Sequence, residues 1–180
     1  MKHLVLIGVL LSLGIVPFVL RRVPQNSSRS LSQHIVKDRR TIMMAQIMFV
    51  LVASMVMAWY FGWYVAAHTT FAAQAILLVA ICVLAALSGL VPYHEGTRAG
   101  KWHNVFAWTY AYILPVLIGT FLLTSSHIAS YVIIAACVIW QLWVVVAYRF
   151  YPPAKPYFLQ YQLSYIGVFA VALLTATYIG

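Results

Sequence analysis

The chain has 180 residues, 64% of them hydrophobic and 7% charged, with a formal net charge of +9. Soluble domains carry about 45–50% apolar and about 25% charged residues, and a globule of this length exposes too much surface to hide such an excess. A soluble enzyme, a disordered tail and a disulfide-stapled secreted module are therefore excluded, and lipid is the solvent for most of the chain.

Crossing the hydrocarbon takes about 20 apolar residues as helix, and six stretches qualify. The first is Leu4–Leu20, preceded by Lys2 and followed by Arg21 and Arg22. No small-x-small cleavage site stands before that arginine pair, so the run reads as a retained helix, bent or ended at Pro17. In loop 21–40, Val23–Ser28 is expected to turn, and Leu31–Arg40 is predicted as an amphipathic interfacial helix. Leu31 and Ile35 would face lipid, with Lys37, Arg39 and Arg40 toward anionic headgroups; a plain polybasic topology signal is the alternative.

The second span, Ile42–Trp63, is rich in Met, read as flexible apolar bulk. Its far end carries Trp59, Tyr60, Trp63 and Tyr64, read as interface anchors at the headgroup level. The third, Phe71–Val91, places Ala85 and Gly89 at small-xxx-small spacing, which lets helices approach closely. The fourth, Val105–Leu123, has Asn104 as its candidate cap, and Pro115 offers the one mid-span break; His103, Ala107 and Tyr110 fall on one side. Trp102, Trp108, Tyr110 and Tyr112 at its start again read as anchors, with an aromatic ligand cage as the alternative. The fifth is Ile128–Tyr148. Three prolines in Tyr151–Pro156 then predict an extended path before the sixth span, Tyr161–Ile179. Cys82 and Cys137 lie inside apolar runs and read as small buried residues. The fold class is all-α: one membrane domain, a bundle of six transmembrane helices. Homo- or hetero-oligomers would pack through spans three and six, where Gly167 and Ala170 match Ala85 and Gly89.

Ten of the eleven basic residues fall in loops 21–40, 92–104 and 149–160, and only Lys2 lies on the other side. The positive-inside rule puts those loops in the cytoplasm and both termini outside, and the expected location is a prokaryotic plasma membrane. Charges confined to membrane-flanking loops speak against nucleic acid as a partner.

Polar side chains within spans include Gln46 and Gln141, and none is ionisable; Gln141 is expected to bond a neighbouring helix, with a polar ligand group as the alternative. That argues against a proton pump, a charged-ring channel and a voltage sensor. The densest polar cluster is loop 92–104. Glu95 with His94 or His103 suits an acid–base pair. The spacing is not HExxH and no further ligand is evident, so neither a metal nor another cofactor is expected. Arg98, Lys101, His94 and His103, anchored by Trp102 and with Arg39 and Arg40 near, suit an anion or lipid phosphate. An ordinary loop with a Glu95–Arg98 or Glu95–Lys101 pair is the plainest reading.

Two short pieces carry a family likeness. One is Ser30-Leu31-Ser32-Gln33-His34-Ile35, ahead of span two; the other is Gly89-Leu90-Val91-Pro92, followed by His103 at the start of span four. With the six-span order, they make the chain resemble the damage-regulated autophagy modulator family and its bacterial relatives. The resemblance implies lipid-related work, with Ser32, Pro92 and His103 as the matching positions. The leading expectation is a protein that binds, moves or remodels membrane lipids, with anionic lipids as partners. The alternatives are the substrate-binding subunit of a small-molecule transporter, a membrane hydrolase using His94, Glu95 and His103, and an accessory or scaffold subunit. Whether the protein is an enzyme stays open, with binding the preferred reading.

Overall fold

The computed structural model describes residues 1–22 and 28–180. The turn expected at Val23–Ser28 thus falls, from 23 to 27, outside the described residues. Six helical segments are long and apolar enough to cross a membrane, and no strand occurs among the described residues. The chain is a six-helix integral membrane protein. Large apolar side chains on the outer faces, such as Ile76, Ile128 and Ile139, are two-thirds exposed or more. Such a surface belongs against lipid.

The helices are α1 (Leu4–Arg22), α2 (Leu31–Ile35), α3 (Arg39–Trp59), α4 (Val65–Ala67), α5 (Ala72–Leu90), α6 (Arg98–Leu122), α7 (Ile128–Phe150) and α8 (Phe158–Tyr178). The six long ones alternate in direction. Each packs on its neighbour in sequence, and α8 returns to α1, closing a ring. One end of the ring gathers the start of α3, α6 and α8 and the close of α1, α5 and α7, so every basic side chain except Lys2 belongs to that end. At the far end, the Lys2 ammonium lies 5.2 Å from the Trp63 ring centre and 4.8 Å from that of Tyr178.

Several expectations change. α1 passes through Pro17 and continues as helix to Arg22. The interfacial helix Leu31–Arg40 is cut short: α2 ends at Ile35, and Asp38 caps a new helix, accepting from the Arg40 N–H at 3.3 Å. The Thr41 hydroxyl seals the joint, 2.5 Å from the Ile35 carbonyl oxygen and 2.7 Å from that of Asp38. Leu31 and Ile35 face inward, packed with Val19, Ala45 and Leu159, so they meet protein and not lipid. The physical reason lies in the N-terminus of α2. Ser30 and Gln33 form a reciprocal capping box, and the Leu31 N–H donates to Gln162 Oε1 of α8 at 2.7 Å. That bond draws the short helix under the ring.

α6 begins at Arg98, capped by Thr97 and not Asn104, so half of the polar third loop is helix. It also runs unbroken through Pro115. A proline frees the carbonyl four residues earlier. Here that carbonyl is Ala111, and the Tyr165 hydroxyl donates to it at 2.5 Å. The Tyr151–Pro156 stretch is not extended, because Pro152–Tyr157 forms a 3₁₀ helix. Its tighter turn accepts proline φ angles and asks for few backbone donors.

The far-end aromatics of the second span are not all headgroup anchors. Tyr60–Tyr64 is a π-helical turn, and Trp59, Tyr60 and Tyr64 are fully buried, Trp59 and Tyr64 beside Phe121 of α6. The wider turn rotates these rings inward, where they fill the end of the ring. Gly89 lies against α3: a Cβ there would overlap the Phe49 side chain, 2.5 Å from its Cβ. The close helix approach expected of Gly89 is thus made within the chain, against α3.

Candidate functional site

A cavity of about 310 Å³ lies at the basic end of the ring, at the lower edge of the ~300–1,000 Å³ range of small-molecule pockets. It separates two packed cores. One surrounds α2, with Leu31, Ile35 and Ala45 on the cavity wall. The other fills the rest of the bundle and reaches the cavity at Val144 and Tyr165.

The wall is mostly apolar and aromatic. α6 contributes His103, Ala107, Trp108, Tyr110 and Ala111. The three-residue side foreseen from His103, Ala107 and Tyr110 is therefore real and faces inward. Phe49 comes from α3, Tyr148 from α7, and Phe158 and Tyr165 from α8. Tyr148 stacks on Phe158 with ring centres 3.9 Å apart. Polar groups enter at the rim: Ser32 and Gln33 of α2, Ser88, Tyr93, Asn104 and Gln162. Ser32, Pro92 and His103, far apart in the chain, all line this one cavity.

His103 is buried at 6% exposure. Its Nδ1 stands 2.7 Å from the Val91 carbonyl oxygen. A carbonyl only accepts, so Nδ1 carries a proton. Tyr93 meets the ring edge-on at 5.7 Å. Gln46 Nε2 donates to the Leu90 carbonyl at 3.1 Å. Together His103 and Gln46 satisfy carbonyls that the end of α5 leaves unpaired. His103 is thus tied into the wall at Nδ1.

The rest of the third-loop cluster lies elsewhere. His94, Glu95, Arg98, Lys101 and Trp102 are exposed, and none lines the cavity. The structure gives Glu95 no ion-pair partner. The one ion pair among the described residues joins Arg22 to Asp38 at 3.9 Å, so neither Glu95–Arg98 nor Glu95–Lys101 forms. Arg39 and Arg40 are exposed on the first turn of α3. No three of His, Cys, Asp and Glu come together as a metal-holding group among the described residues. Gln141, fully buried, donates from Nε2 to the Tyr165 carbonyl at 3.3 Å, an interhelical bond as expected.

Known proteins add nothing to this picture. No family model, curated protein or solved structure matches the chain.

Sequence reasoning did not find Tyr93, Tyr148, Phe158, Gln162 and Tyr165 as cavity residues. A signal existed for α2, because Ser30-x-x-Gln33 is a capping box on its face. None existed for Gln162, whose partner Leu31 lies 131 residues away.

Proposed function

We propose that this protein binds a membrane lipid, with the apolar part of the lipid in the cavity at the basic end of the ring and that end toward the cytoplasm. The observation that carries this reading is the cavity itself: an apolar, aromatic-walled space with a polar rim, placed at the end where ten basic residues collect. Interfacial cations attract anionic headgroups while the adjacent apolar volume takes hydrocarbon. A transporter subunit capturing solute from outside would want its cavity at the opposite end. A hydrolase of the His94–Glu95–His103 type would want Glu95 beside His103 at the cavity, and Glu95 does not line it. The exposed Arg98 and Lys101 take no part in the cavity.

A photoreactive diazirine on the acyl chain of a phospholipid tests the reading on purified full-length protein. Crosslinks are expected at cavity positions such as Ala107, Ala111 and Val145, and Ala111→Phe, which fills the space, should remove them. Crosslinks confined to outward-facing positions such as Ile139 would refute it.

A further inference from the structure

The cavity has a neighbour. A cleft of about 400 Å³ is lined by Trp108, Tyr112, Tyr148, Arg149 and Lys155. Trp108 and Tyr148 belong to both spaces. Their rings stack with centres 5.3 Å apart and planes 25° from parallel, forming a shared wall. One side of that wall is apolar; the other carries two cations.

Among the described residues, neither cation is paired with an anion. The sequence holds only Asp38 and Glu95 as acids. Asp38 caps α3 and faces Arg22. Glu95 is exposed in the third loop and lines neither space. Arg149 stands on the last turn of α7, and Lys155 is carried by the proline-rich 3₁₀ helix just after it. That helix replaces the extended path that would carry Lys155 away from Arg149. A stiff connection holding two cations on one cleft reduces the entropy lost when both engage one ligand. Guanidinium matches phosphate oxygens in a two-point fork, and a lysine adds a point charge.

We infer that the Arg149–Lys155 cleft is a phosphate-binding site, and that it holds the phosphate headgroup of a lipid whose chain occupies the cavity across the Trp108–Tyr148 wall. The lipid source rests on the function proposed above, whereas the cleft's affinity for a phosphate group does not. Arg98 and Lys101 line neither space and are the control pair.

The test uses the full chain in dodecyl maltoside, with binding read by native mass spectrometry. Dioleoyl phosphatidic acid, dioleoylglycerol and inorganic phosphate are the probes. Phosphatidic acid should bind more tightly than dioleoylglycerol. The double variant Arg149→Gln, Lys155→Gln should weaken phosphatidic acid by about tenfold or more, the scale of losing charge-assisted contacts, while Arg98→Gln, Lys101→Gln does not. A double Arg149/Lys155 variant that keeps the full preference for phosphatidic acid overturns the site. If dioleoylglycerol still binds and Ala111→Phe still blocks it, that failure belongs to the cleft and not to the lipid reading. If neither lipid binds and inorganic phosphate alone depends on Arg149 and Lys155, the lipid source is overturned and the occupant is a free anion.

Discussion

The hydroxyl of Tyr165 donates to the carbonyl oxygen of Ala111, the acceptor that Pro115 strips of its helical partner. A helix with a mid-span proline therefore stays whole, and the bond ties α8 to α6 beside the cavity. Interhelical side-chain bonds in membranes are worth about 0.6 kcal/mol on average and up to about 1.7. Tyr165→Phe should destabilise the protein within that range. In a Pro115→Ala background, where the residue-115 N–H can again reach Ala111, the same change should cost less. Thermal unfolding of the four variants in detergent, read as a double-mutant cycle, measures the coupling; additive effects would show that Tyr165 does not stand in for the missing bond.

Gly89 touches α3 so closely that a Cβ would overlap Phe49. Gly89→Ala should lower stability by roughly 1–3 kcal/mol through overpacking. Phe49→Ala should relieve only part of this, because the overlap includes the Phe49 Cβ, which alanine keeps. Unfolding midpoints in detergent decide the matter, and a neutral Gly89→Ala would mean the helices separate freely.

The capping box at Ser30 and Gln33 holds the cavity floor. Removing Ser30 by alanine should cost about 1 kcal/mol, the usual scale for an N-cap. It should also loosen α2 and raise hydrogen exchange at Gln33 and His34 ahead of the long helices. Uniform exchange across the whole chain would show that α2 does not open by itself.

At the far end, His68 stacks on Tyr64 with ring centres 4.3 Å apart. Burial lowers its pKa from the ordinary value, and the positive charge of Lys2 lowers it further. Lys2→Met should therefore raise the His68 pKa while leaving it below the ordinary value, since burial is the larger cause. An NMR titration of the ring carbons reads the shift. The folded form binds this proton less readily than the unfolded chain. Stability should thus fall as pH drops through the ordinary histidine value of about 6.5 and should not change from this group at higher pH. A His68 pKa indifferent to Lys2 would contradict the electrostatic part.

Span number, approximate span limits and the one-sided placement of basic residues were all legible, because each depends on composition within a window of about twenty residues. Local chemistry marked the His103–Ala107–Tyr110 side of α6 correctly, since helix periodicity alone sets which residues share a side. The same reasoning grouped His94, Glu95, Arg98, Lys101 and His103 as one cluster, and the structure divides them. Adjacency in a loop does not say which side chains turn inward, and only His103 finds an acceptor at the end of α5. It also treated the Trp59–Tyr64 aromatics as membrane anchors, because nothing in their order announces a π-turn.

By itself the sequence determined that the chain lives in lipid, crosses it six times and carries its positive charge at alternate loops. These follow from transfer free energies, which add residue by residue along a span. The tertiary structure alone decided that α2 tucks beneath the ring, that Pro115 is tolerated, and that Ser32, Pro92 and His103 meet on one cavity. Each of those outcomes rests on partners distant in the chain, such as Gln162 for Leu31 and Tyr165 for Ala111. A buried polar group must find a partner wherever the fold supplies one, and sequence distance places no limit on where that is.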